Sequence, residues 1–216
     1  MPIRLDEILS VDRLQTLFDT FSSATKMGLA IVSLDGKIWV RSGWQEICTR
    51  FHRRNPESER VCIQSNTRCP QGVSTGTMAT RPCPHGLINA ATPIVVHDVH
   101  IANLLTGQFF FTPPDEKALE RFKTQALKWG FDEDAYLEAL SAVPVLPEKQ
   151  VHLFLPYLEQ LAEMIAGMGA SHQKPEASGA ASLDTHVGLK GQTGWRRSTT
   201  GHYVQILEGN PLPAFV

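Results

Sequence analysis

The sequence predicts an α+β fold: an antiparallel sheet built from hairpins, flanked by helices and followed by one long C-terminal helix. Three observations carry this. Gly28–Leu34 and Lys37–Arg41 are apolar runs joined at Asp35-Gly36, a pair whose glycine tolerates the positive φ of a tight hairpin. Thr92–Val96 and His100–Phe111 repeat the pattern around His97-Asp98, with β-branched and aromatic residues on both sides of the turn. From Pro147 to Met168, the residues Val151, Phe154, Leu158, Leu161, Ile165 and Met168 follow 3-4-3-4-3 spacing, the period of an apolar helical seam.

Composition narrows the class. A chain of 216 residues can bury a substantial core in one domain and permits a second without requiring it. With 42% hydrophobic and 19% charged residues it reads as globular, and a net charge of −2 gives no basic footprint of the kind that holds a phosphate backbone. Nucleic-acid binding is therefore disfavoured. The N-terminus lacks the charged-then-apolar pattern of a secretory signal, and no apolar run approaches the roughly 18 residues of a membrane span. A cytoplasmic protein is expected. Thiols stay reduced there, so the four cysteines read as metal ligands, redox groups or buried residues rather than disulfides.

In chain order, Leu14, Leu17, Phe18 and Phe21 mark an amphipathic helix over 11–26, within a lead-in of residues 1–27. The first hairpin follows and opens a domain of residues 28–169. Ile47, Cys48 and Phe51 share one side of a short helix from Gln45 to about Arg54, and a second short helix starts at Pro56 or Glu57 and runs through Cys62. Residues 65–84 are rich in Ser, Thr, Gly, Pro and Arg and read as loop. After the second hairpin, Asp115–Trp129 and Glu133–Leu140 read as helices, the first capped by Gly130. Pro156 interrupts the last helical seam, so residues 147–168 are either a homodimerisation helix or a kinked core helix. Residues 170–216 lose apolar periodicity and are expected to be a disordered tail with one marginal element at Tyr203–Leu207.

The chemistry concentrates between Trp44 and Gln108. Cys48, Cys62, Cys69 and Cys83 are separated by 14, 7 and 14 residues, with His52 four after Cys48 and His85 two after Cys83. A helix places Cys48 and His52 on one face, about a turn apart, as chelation requires. Cys62 and Cys83 complete a Cys3His set, with Cys69 and His85 in reserve. Zinc suits such ligands; the same thiols are compatible with an iron–sulfur cluster and a redox sensor. These spacings match no compact zinc motif, and small thiols in short helices also serve as core residues. His97-Asp98-Val99-His100 is a weaker second metal candidate, because strand alternation sends the two imidazoles to different faces. Arg50, Arg53 and Arg54 read as a solvated basic face, and Phe109–Phe111 as a buried strand. No phosphate loop, nucleophile elbow or metallohydrolase motif supports an enzyme, although a metal-dependent catalyst is the alternative class.

The run Trp44-x3-Cys48-x2-Phe51-His52, Cys62-x2-Ser65, Cys83-x2-Gly86-Leu87, Pro93-Ile94 and Leu104-x2-Gly107-Gln108-Phe109-Phe110 resembles the PocR sensory domain family, related to sensory domains of the DcmR type. The resemblance spans about Leu14 to Gly169. It implies a PAS-like fold and a non-enzymatic signalling module that binds a small organic molecule, such as a short diol. It also implies an output domain or partner, which is expected elsewhere because no kinase or helix-turn-helix pattern follows residue 169. On this reading the pocket lies between the sheet and the helices of residues 44–66, with Trp44, Phe51 and Phe110 as walls and His100 or Gln108 as polar contacts.

Overall fold

Alternation and turn chemistry build the sheet. In a computed structural model, which describes residues 10–67, 78–172, 195–197 and 203–205, β1 (Gly28–Ser33) and β2 (Ile38–Ser42) form the first hairpin. Gly36 adopts φ +91° in its turn. The second hairpin joins β4 (Ile88–Val96) to β5 (Val99–Phe109), and His97 and Asp98 both take positive φ, as a twist-matched two-residue turn demands. β1 pairs with β5, so the strands lie in the order β2-β1-β5-β4-β3, all antiparallel. This is the expected α+β, PAS-like arrangement.

β3 (Ala79–Pro82) lies within the stretch expected to be loop. It is a four-residue edge strand with Pro at its end, and only one partner strand is needed to hold it, so it leaves no alternating signature. The second short helix also runs further than expected: α2 spans Pro56–Thr67, after α1 (Val11–Thr25). α3 (Glu116–Trp129) starts at an Asp115 cap and ends at Gly130 in the left-handed region; α4 (Glu133–Ser141) starts at an Asp132 cap.

The sheet has two differently built faces. One packs Leu29, Ile31, Ile94 and Leu104 against Phe18 of α1 and Val151, Leu155, Leu158 and Ile165 of α5 (Glu148–His172). The helical seam of residues 151–165 is thus largely spent on its own sheet, while Leu153, Tyr157, Met164 and Met168 face outward. The opposite face carries a smaller patch, Ala30, Val32, Ala91 and Leu105, beneath Trp44 and Ile38. A second core of Ile47, Phe51, Phe110, Phe122 and Tyr136 holds α3 and α4 beside it. Among the described residues no helix is long and apolar enough to cross a membrane. In a separate unit, Glu176–Val216, β6 (Trp195–Arg197) pairs antiparallel with β7 (Tyr203–Gln205); the rest of the expected tail lies outside the described residues.

Candidate functional site

The site assembles from three short pieces of chain. The first is the turn Ile47–His52, which is π-helical: its wider coil turns Ile47 and Phe51 into the core beside α4 and leaves Cys48 and His52 on a cleft. Isolated π turns recur at functional sites. The second is α2. Ser58, Cys62, Ser65 and Asn66 fall on one helical stripe, with Ser58 buried and the other three on the cleft, so the inward face of this helix is polar. The third is the β3–β4 turn Cys83-Pro84-His85-Gly86. The Gly86 N–H donates to the Cys83 carbonyl (2.8 Å), with Pro at the second position where its φ is already set.

A strand irregularity fixes the first piece to the sheet. Ile88 faces Phe109 and Asn89 faces Gly107, which leaves Gln108 as the extra residue of a bulge, at φ +67°. Its N–H donates to Asn89 Oδ1 (3.1 Å) and its Oε1 accepts from the Gln45 N–H (2.6 Å), anchoring the segment that leads into the π turn. Position 107 has to be glycine, because a Cβ there would stand 2.1 Å from Asn89 Oδ1 and 2.8 Å from the Asn89 Cα.

Behind the cleft lies a closed polar network. The His52 and His85 rings stack at 3.9 Å between centroids, and both are buried. Tyr136 donates its hydroxyl proton to Gln125 Oε1 (3.3 Å), which has only lone pairs to offer, so His52 Nε2–H donates to the Tyr136 oxygen (2.6 Å). His85 Nδ1–H donates to the same Gln125 oxygen (3.3 Å), and His85 Nε2 then accepts from Ser58 Oγ (3.4 Å). Gln125 Nε2 returns to the His85 carbonyl (3.0 Å). This assignment leaves Nδ1 of His52 as a lone pair with no hydrogen-bond partner among the described residues.

Burial sets the charge states. Desolvation, aided by the neighbouring His85, pushes His52 down to about 2, and desolvation also lowers His85, so both imidazoles are neutral at pH 7. Desolvation raises the Cys48, Cys62 and Cys83 thiols, Cys62 to about 12; the proximity of Cys83 and Cys62 raises Cys48 further. The protonated thiols are poor nucleophiles.

The cleft gathers Trp44, Cys48, His52, Cys62, Cys83 and Gln108 from the expected site residues, together with His85, Arg53 and Asn89. Three expected residues are not on it. Phe51 packs edge-on against Phe131 and Tyr136, and Phe110 packs against Phe122 while its backbone bonds Pro144 and Leu146. His100 bonds Asn103 Oδ1 (2.8 Å) near the other end of β5 from Gln108, about 26 Å away at strand rise. Cys69 lies outside the described residues. The sequence reading missed Gln125 and Tyr136, although a glutamine on the buried stripe Phe122–Gln125–Ala126 of α3 is the signal that finds one of them.

The space is small, about 30 Å³ for water-sized spheres. That admits a water or an ion rather than an organic molecule in this conformation. Three thiols and an imidazole whose other nitrogen is anchored suit zinc in kind, since an anchored N–H fixes a metal-binding ring. As they stand, no three Cys, His, Asp or Glu side chains among the described residues are arranged to hold a metal ion. Comparisons with curated proteins and with solved structures gave no match. A family described as the sensory domain found in PocR matches residues 7–170, about three quarters of the chain, and the cleft, the network and the bulge all lie within that span; the chain belongs to this sensory-domain family.

Proposed function

We propose that the domain is a non-catalytic, ligand-sensing signalling module whose receptor centre is the thiol–imidazole cleft, with a metal ion, zinc foremost, supporting it. The observation that carries this reading is the convergence of Cys48, Cys62 and Cys83, from three separate elements, on one buried cleft that His52 enters with a free Nδ1. A divalent cation would supply the positive charge that lets desolvated thiols ionise. Cys48, Cys62, Cys83 and His52 would hold it, after a small approach of the Cys83 turn and the π turn. Raised thiol pKa values, and a His52 that burial leaves too weakly basic to take a thiol proton, favour a binding centre over an enzyme.

The small organic ligand, in the class of short diols, would enter where the cleft meets the Ala30, Ala91 and Leu105 patch, beside Trp44 and the Asn89 and Gln108 amides. The present volume requires the Cys83 turn to move for entry. A ligand shifts such an equilibrium only by its preference for one of the two states. The route outward is short: β3 ends at the Cys83 turn, and at its other end the Met78 N–H donates to Glu159 Oε1 of α5 (2.5 Å). Displacement of the turn would thus reach α5, and from there an output domain or partner protein.

Titration of 1,2-propanediol and related short diols, followed by tryptophan emission, tests the reading. A saturable change that disappears in Trp44→Phe and is halved or better by Glu159→Gln in a helix-sensitive readout is expected. No saturable change with any diol, in protein that retains its fold and metal, would overturn the ligand class.

A further inference from the structure

The geometry points to a second site: an anion-binding groove for a phosphate-bearing small molecule, on the outer side of the π turn and sharing Arg53 with the lining of the thiol cleft. An open groove of about 430 Å³ is lined by Ile38, Arg41, Thr49, Arg50, Arg53, Arg54 and Glu59. Four arginines thus face one carboxylate. Arg50 is paired with Glu46 (2.8 Å), whereas Arg41, Arg53 and Arg54 have no ion pair among the described residues.

Two of these cations are held together deliberately. The Arg53 guanidinium lies 4.7 Å and the Arg41 guanidinium 5.5 Å from the centre of the Trp44 ring, and the Trp44 Nε1–H is fixed to the Leu29 carbonyl (3.1 Å). The indole positions two like charges that would otherwise separate in water. Arg53 Nη2 is moreover buried with no hydrogen-bond partner. Three unpaired forks, one from β2 and two from the residues that follow the π turn, match the several oxygens of a phosphate better than the two of a carboxylate. A basic stretch that the sequence offers as a solvated face therefore becomes a site only once Arg41, nine residues upstream of Arg50, joins it.

The groove is a binding surface for inorganic phosphate or for the phosphate of an ester, and it works without a metal in the cleft. Calorimetric titration of the full chain with inorganic phosphate, pyrophosphate and a simple phosphomonoester, at constant ionic strength, tests it. Arg41 and Arg54 are exposed, so Arg41→Gln and Arg54→Gln leave the fold intact where Arg53→Gln risks it. Saturable binding of at least one probe, weakened at least tenfold by each of the two variants and unchanged by Lys117→Gln on α3, is expected. Preference for the ester over free phosphate identifies an esterified ligand, and the converse identifies the free ion; both sustain the site. No saturable heat with any probe, or affinity equal in wild type and both arginine variants, overturns it.

Discussion

The two faces of the sheet are built by opposite rules. Toward α1 and α5 the strands present Leu29, Ile31, Ile94 and Leu104 to Phe18, Val151, Leu158 and Ile165, a closed apolar layer. Toward α2 and the π turn they present alanines and short aliphatics, with a cleft of thiols, imidazoles and amides at the sheet's edge. The first arrangement stabilises, since each fully buried aliphatic side chain contributes about 1.5–3 kcal/mol. The second holds polar and titratable groups in fixed protonation states, which the apolar side makes tolerable. On the function proposed above, sensing chemistry would sit where burial is polar and networked, and output would leave through the apolar face that carries α5.

That contrast is broken most severely from the apolar side. Leu158→Ala, at a fully buried position under the sheet, is expected to lower unfolding free energy by about 2–5 kcal/mol in urea titration. On the polar side, Tyr136→Phe removes the hydroxyl between His52 and Gln125 and leaves the His52 N–H without its acceptor. A loss of about 1–3 kcal/mol is expected, with wild-type far-UV circular dichroism. A cost below about 0.5 kcal/mol would mean that the network is not a closed unit.

Protonation separates the faces further. His52 is held near 2 in the folded protein against its ordinary 6.5, so the folded state binds fewer protons than the unfolded chain between those values. Stability is therefore full above about pH 6.5 and is lost as pH falls below it, by up to about 1.4 kcal/mol per pH unit, with His85 adding in the same direction. Urea midpoints at pH 7.0 and 5.5 check this; His52→Asn should flatten the dependence, and Leu158→Ala should not. The smallest effect runs in the stabilising direction. The Thr92 hydroxyl is buried on the apolar face with no partner among the described residues, so Thr92→Val is expected to add about 1 kcal/mol.

The apolar half was legible in the sequence because it obeys periodicity. The two hairpins, the Gly130 cap and the 151–165 seam all rest on period-2 or period-3.6 patterns and on turn residues with one preferred conformation. The polar half was legible only in part. Clustered cysteines and histidines identified Cys48, His52, Cys62 and Cys83 as neighbours in principle, and the cleft brings them to one surface. The sequence did not reveal that Gln108 is a bulge residue anchoring the segment that leads into the π turn, because a register shift depends on the partner strand. Nor did aromatic content separate Trp44, which lines the cleft, from Phe51 and Phe110, which fill the core behind it: side-chain direction in the π turn of Phe51 differs from that in an α-helix, and Phe110 lies just past β5, bonded to Pro144 and Leu146. The strand β3 escaped for a similar reason, since pairing with β4 rather than its own composition makes it a strand.

Metal content is the direct measure of whether the polar face holds its thiols for an ion. Elemental analysis with an absorption spectrum, on the full chain purified anaerobically without chelator, should give about one zinc per chain and no colour. Cys83→Ser should lose that metal together with much of its thermal stability. Iron with visible absorbance would keep the site and change its chemistry to that of a cluster. No metal in the wild type, with Cys83→Ser unfolding at the same temperature, would rule out an ion site and leave the three thiols as core residues.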